Sequence, residues 1–309
     1  MATTVLTRQS WYALPELRKK LIEARRLPIG PVVILLTLLV IPAIFADVIA
    51  AHNPTIGKLS DRLQPPAWVD AEMENGVVIE EGGSWTFPLG TDRAGRDILS
   101  RMMHGARVSL TVALLAITAG GFLGSALGLL AGYKGGWVDH LIMRLVEAFL
   151  AFPFILMALV LVTILGSSLG TVVVTISILL WARFARLARG ETLSVKNRDF
   201  IDRARSSGCS NTRIMTRHVF PNIVNPLLVV VTLEVGHVIL LESTLSFLGA
   251  GLPLPTPAWG LMVSEGRDLI VANWWVSFFP GLAIMLTVLS MNLLGDWMRD
   301  RLDPKLRQI

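Results

Sequence analysis

Apolar residues gather into six long runs, separated by polar stretches of very different length. The first, over 29–48, is near the ~20 residues that a bilayer core requires. Further runs cover 108–132, 141–165, 169–187, 224–248 and 276–294. Each is too long for a strand, so the pattern predicts six membrane-spanning helices in an all-α polytopic protein. Pro153 falls inside the third run and predicts a kink there, because a proline removes one backbone donor. Gly120, Gly124, Gly128 and Gly132 recur every fourth residue of the second run, a small-residue ridge along which another helix can approach closely.

The polar stretches carry most of the remaining information. Residues 1–27 hold six basic residues from Arg8 to Arg26, with a short amphipathic helix expected over 15–24. Residues 51–104 contain eight acidic and five basic residues, a balance that suits the outer side. The segment 183–222 carries nine Lys or Arg against three Asp or Glu, and with the two tails it places the basic residues of three segments on one side. The reading is six spans with both termini cytoplasmic and 28–50 as an uncleaved signal anchor. A tail (1–27), the first helix (28–50), an external segment (51–104), a five-helix domain (105–298) and a second tail (299–309) then follow in order.

The basic loop has its own helical pattern. Asp199 is read as the N-cap of a helix over 199–207, with Phe200, Ala204 and Ser207 on one face and Gly208 as the left-handed residue that ends it. A second turn uses Ile214, Met215, Val219 and Phe220 and is expected to stop at Pro221. Caps, an apolar stripe and a basic rim are what a docking knob needs; a loop that is basic only for topology is the plainer reading. Elsewhere, Thr91-Asp92 is read as the cap of a helix over 96–103, and Arg144 and Glu147 can pair. Arg183, Arg186 and Arg189 form a stripe suited to headgroups. Glu234, His237 and Glu242 lie inside the fifth run, where ionisable groups are costly and usually face a bundle interior or a water-filled path. They are the candidates for a translocation path, against a purely interhelical bonding role.

Composition agrees with the pattern. Some 53% of residues are apolar without counting glycine, above a soluble protein, and mean hydropathy is +0.60. The net charge of +5 is concentrated in loops, which reads as topology and not as nucleic-acid binding. One cysteine, Cys209, excludes an intrachain disulfide. No GxxxxGK[ST] phosphate loop, HExxH or CxxC motif is present, so the chain is read as a non-catalytic transport subunit with no catalytic or metal residues and no cofactor of its own.

Four separate motifs resemble one family, the permeases of ABC importers for dipeptides, oligopeptides and nickel. The basic loop resembles their EAA motif: Asp202, Arg203 and Ala204 stand at the Glu-Ala-Ala positions, Gly208 and Pro221 at the required spacings, with His218 and Phe220 replacing Ile and Leu. Pro88-Leu89-Gly90-Thr91-Asp92, closed by Gly95-Arg96-Asp97, resembles the block that opens the second permease subunit. The Glu242–Gly249 run and the Asn292–Arg307 ending resemble the same family. The resemblance implies a MetI-like type I fold in a bacterial or archaeal cytoplasmic membrane. It implies a homologous second permease, two cytoplasmic ATPase subunits that carry ATP and Mg, an external solute-binding protein, and a peptide substrate. It implies ATPase coupling through Asp199, Phe200, Asp202, Arg203, Ala204, Gly208, Arg213, His218 and Pro221. Nickel or another small solute on the same scaffold is the alternative. An ion-driven secondary transporter, with Glu234, His237 and Glu242 as a proton relay, is the rival from another class, and a membrane-embedded enzyme is a third.

Overall fold

The computed structural model describes residues 28–74, 77–80 and 82–302. The amphipathic helix expected over 15–24 and the end of the C-terminal tail lie outside them. The regular structure of the described residues is helical except for one two-stranded antiparallel hairpin, β1 (Glu72–Glu74) and β2 (Val77–Glu80), in the irregular segment between the first two long helices. The long helices are α1 (Ile29–Ile49), α2 (Ile98–Lys134), α5 (Leu169–Lys196), α7 (Asn211–Phe247) and α9 (Trp275–Leu302). A bent pair, α3 (Gly136–Ala151) and α4 (Phe154–Leu165), lies between α2 and α5. Two short helices complete the set, α6 (Asp199–Ser206) and α8 (Trp259–Gly266). Among the described residues five helices are long and apolar enough to cross a membrane, six if the bent pair is one crossing, so this is a multi-pass membrane protein.

Helix α2 begins ten residues before the expected span. Its N-cap is Asp97, whose carboxylate accepts from the Ser100 amide at 2.9 Å, so neither Thr91 nor Asp92 is the cap. At 1.5 Å per residue its 37 residues run about 55 Å, so one end stands clear of a core about 30 Å thick. The glycine ridge of α2 faces α5. A Cβ on Gly120 would lie 2.7 Å from the Ser177 carbonyl oxygen, and one on Gly132 would lie 2.9 Å from that of Arg189. Gly124 and Gly128 meet the carbonyls of Trp181 and Ala185 more closely still. Both rows advance by four residues in the same direction, so α2 and α5 run parallel. Parallel neighbours require the chain to cross once between them, and the bent pair α3–α4 is the only chain available to do so. It is therefore a broken span and not a re-entrant loop.

That break is sharper than the expected kink: the two halves meet at 91°. Phe152 is extended, as a residue before proline prefers, and Pro153 becomes the N-cap of a new helix. Pro221 differs in the opposite sense. It does not stop a helix; it sits within the continuous α7, directly after a widened i→i+5 turn over Ile214–Val219 that accommodates the ring. The Pro-rich stretch 250–274 holds α8. Trp259 is buried there, and its indole N–H donates to the Met102 carbonyl at 2.8 Å, fastening α8 to α2.

At the hairpin end, four charged side chains form a closed ring. Arg96 donates to Asp92 Oδ2 and Glu265 Oε1, each at 2.7 Å; Arg101 donates to Asp92 and, at 2.7 Å, to Glu265 Oε2. Arg101 and Asp92 are about 1% exposed. Burial pushes the Arg96 guanidinium down, and the facing carboxylates of Asp92 and Glu265 more than offset this, holding it above its ordinary value. The ring thus joins the loop before α2, the first turn of α2 and the last turn of α8.

Candidate coupling surface and intramembrane polar cluster

Helix α6 is a short amphipathic segment held in a fixed pose. Its buried side chain is Ile201, which is fully enclosed, as is Ile214 near the start of α7; Phe200 and Ala204 pack beside them, half-buried. The apolar face is therefore Phe200–Ile201–Ala204, and Ser207 is exposed, contrary to the expected stripe. Arg198, not Asp199, is the N-cap residue, with no side-chain capping bond; Asp199 lies in the first turn, where its charge suits the helix dipole. The C-terminus is closed by two backbone bonds. The Cys209 amide reaches the Ala204 carbonyl at 3.1 Å and the Gly208 amide reaches that of Arg205 at 3.0 Å, with Gly208 at φ +79°.

The remaining coupling candidates divide by exposure. Asp202, Arg203, Gly208, Arg213 and Pro221 are exposed or nearly so, and His218 is half-buried. Asp202 accepts from Arg205 at 3.2 Å. Nothing of the described chain lies within 4 Å of a Cβ built on Gly208. The outward face of α6 is thus a polar surface on a fixed backbone. The surrounding segment is tied to the bundle by the bond from the Tyr133 hydroxyl to Asn211 Oδ1 at 2.9 Å and from Lys196 Nζ to the Gly132 carbonyl at 2.7 Å. Arg189 makes a two-pronged pair with Asp139 of α3. Asp139 carries no signal in the sequence beyond its place in a short polar stretch.

The ionisable residues inside the spans fall into two places. Glu242 is fully buried; it accepts from Ser246 at 2.8 Å and faces Ser109 of α2 at 3.5 Å. It is a link between α7 and α2. Glu234 and His237 lie one helical turn apart with Arg183 of α5, whose guanidinium is 3.2 Å from Glu234 Oε1. Arg183 also sits over the Phe154 ring, 5.5 Å from its centroid, and the His237 ring is 6.0 Å from the same ring. The structure therefore separates Glu242 from the other two and adds Arg183, which the stripe reading assigns to headgroups. Arg144 and Glu147 pair at 3.4 Å, both well exposed.

One string, Gly166-Ser167-Ser168-Leu169-Gly170, fits the letters of a hydrolase G-x-S-x-G turn. It joins two helices, and Ser168 accepts from the Thr171 amide as the N-cap of α5. With no strand before it, it is a cap and not a nucleophile turn.

Comparison with known proteins places these features. Residues 124–308 match the family described as the binding-protein-dependent transport system inner membrane component. The chain is 42% identical over 270 residues to the di/tripeptide transport system permease protein DppC of Pseudomonas aeruginosa, covering 87% of this chain and 86% of that protein. It is 45% identical over 229 residues to the glutathione transport system permease protein GsiD of Pectobacterium atrosepticum, covering 74% and 76%. Among solved structures, a chain of the MetNI methionine ABC transporter in inward-facing conformations superposes with TM-score 0.55 at 17% identity, covering 66% of this chain and 96% of that one. The likeness of that chain is one of fold, and the fold is the MetI type. The chain belongs to the family of binding-protein-dependent transport system inner membrane components, the permease subunits of ABC importers.

Proposed function

We propose that this chain is one of two homologous permeases in an ATP-driven importer of di- and oligopeptides. In this reading α6 docks in a cytoplasmic ATPase subunit. The observation that carries it is the exposed polar face of α6 on a backbone closed by the Gly208 cap and seated through Ile201 on Ile214. A rigid body of this kind transmits displacement, whereas a mobile loop would absorb it. Closure of the ATPase pair pulls α6; the bond from Tyr133 to Asn211 and the pair of Arg189 with Asp139 carry the pull into α2, α3 and α7. The bundle then exchanges an inward-open for an outward-open arrangement, a bias on two packings rather than a chemical step. A solute-binding protein delivers substrate at the end that carries the hairpin. Both termini and 183–222 lie on the cytoplasmic side, the five helices over 105–298 form the permease domain, and hydrolysis belongs to the ATPase subunits.

The substrate class is carried over from relatives described as di/tripeptide and glutathione permeases, all of them short peptides. The test is ATP hydrolysis by the four-subunit complex in nanodiscs, with binding protein offered dipeptides, longer peptides or nickel. Stimulation by dipeptides is expected. Stimulation by nickel alone would overturn the substrate class, and peptide uptake that collapses with an uncoupler at constant ATP would overturn ATP drive.

A further inference from the structure

The cluster around Arg183 poses a problem of solvation. Arg183 lies in the apolar run of α5, four residues before its end at 187, and its side chain is 35% exposed. A guanidinium inside an apolar run does not face hydrocarbon, so this face of the bundle borders a polar path, a partner surface or the headgroup layer, and the bond to Glu234 turns the side chain toward the bundle. Glu234 is 93% buried, since its exposure is 7%, and one carboxylate oxygen, Oε2, has no hydrogen-bond partner; His237 Nε2 beside it has none either. A buried carboxylate oxygen without a donor is costly. Close by, the break at Pro153 starts a twelve-residue helix whose first turn has no side-chain cap. Phe154, its first residue, packs by its ring against both Arg183 and His237, which brings the start of α4, with its unpaired first-turn amides, to this cluster.

We propose that Arg183, Glu234 and the N-terminus of α4 form a transient binding site for the two charged termini of a short peptide on its way across the membrane. This rests on the peptide-importer reading above. The carboxylate of the peptide lies against the free donors of Arg183 and the first-turn amides of α4. The ammonium lies on Glu234 Oε2, with His237 as a neighbouring acceptor. Arg183 has five donors and its pairing with Glu234 occupies one, so the pair persists when the ligand arrives. Two extended residues span about 7 Å, a reach that suits neighbouring cationic and anionic groups. Both charges of the site come from helices that meet at the broken span, so relative movement of α4, α5 and α7 would take the site apart and release the ligand.

The test uses the permease–ATPase complex in nanodiscs without binding protein, with radiolabelled dialanine as the probe and N-acetyl-dialanine and dialanine amide as competitors. In the unaltered complex each blocked peptide should compete roughly tenfold more weakly than dialanine, the worth of one charge-assisted bond. Glu234→Gln should abolish the discrimination against the N-acetyl peptide and keep that against the amide; Arg183→Gln should do the reverse. Glu234→Asp retains the charge and should retain both discriminations, which separates loss of the site from loss of assembly. Unchanged discrimination in Glu234→Gln and Arg183→Gln, or no dialanine binding by the unaltered complex, would overturn the site. If the complete importer still takes up dipeptides in that case, the function stands without the site; if it takes up none, both fall.

Discussion

Gly208 offers a way to separate the shape of the α6 cap from the size of the residue that occupies it. Its φ of +79° lies in the left-handed region, and its surroundings within this chain are open. A side chain there meets no obstacle in the free permease, so the cost is set by the backbone. For alanine that is about 1–2 kcal/mol, less for asparagine, which visits the left-handed region more readily, and more for a β-branched valine. Since 1.4 kcal/mol is a factor of ten, alanine lowers the ratio of capped to open α6 about five- to thirtyfold. The bundle itself should be untouched. If docking needs the capped helix, substrate-stimulated ATP hydrolysis by the reconstituted complex should fall in the order Gly, Asn, Ala, Val, with thermal unfolding of the free permease shifted by no more than a few degrees. Asparagine is larger than alanine, so crowding against an ATPase surface would reverse those two. Gly208→Asp, charged as well as constrained, should abolish transport while membrane insertion continues. Full coupling in complexes that carry Gly208→Val would refute the reasoning altogether.

The packing gives three further expectations. Asp92→Asn leaves the buried Arg96 and Arg101 with Glu265 as the one remaining carboxylate between them, an uncompensated charge that should cost about 3–5 kcal/mol and show as a lowered unfolding temperature in detergent; an unchanged temperature would mean that water reaches the ring. Gly124→Ala should disrupt the α2–α5 contact by more than the usual ~1–3 kcal/mol of overpacking, because the obstacle is the Trp181 backbone, whereas Gly121→Ala, 3.5 Å from the Phe184 ring, should be accommodated. Equal yields of folded protein from the two variants would contradict the ridge. Tyr133→Phe removes the hydroxyl bond to Asn211 and should weaken ATP coupling with a stability loss of about 1 kcal/mol or less; unaltered coupling would take that bond out of the transmission route.

Features that repeat within one helix are legible along the chain. The apolar runs mark the spans, and glycines every fourth residue mark a ridge, because both signals are local and periodic. The polar ring is not legible in this way: Asp92 and Glu265 are far apart in sequence, and only the folding of α8 back onto α2 joins them. Helix α8 is masked by Pro253, Pro255 and Pro257, which rule out a helix at their own positions and leave the residues from Trp259 onward undetermined. The two interior prolines show that a residue type does not settle its own outcome. Pro153 breaks a span because its predecessor is extended, while Pro221 is absorbed by a widened turn. Ile201 drops out of the expected stripe because the i, i+4, i+7 series from Phe200 leads on to Ser207, whereas the helix ends at Ser206 and buries the side on which Ile201 lies, three residues from Ala204. Arg183 reads as part of its own helix, and its partner Glu234 lies on another.

The role of α6 as the coupling body is tested most directly by replacing residues 199–208 with a Gly–Ser segment of equal length and measuring ATP hydrolysis and peptide uptake together in reconstituted vesicles. Hydrolysis that no longer responds to loaded binding protein, with uptake lost and the helix bundle still assembled, is the expected result. Peptide-dependent hydrolysis and uptake at the unaltered level would contradict it.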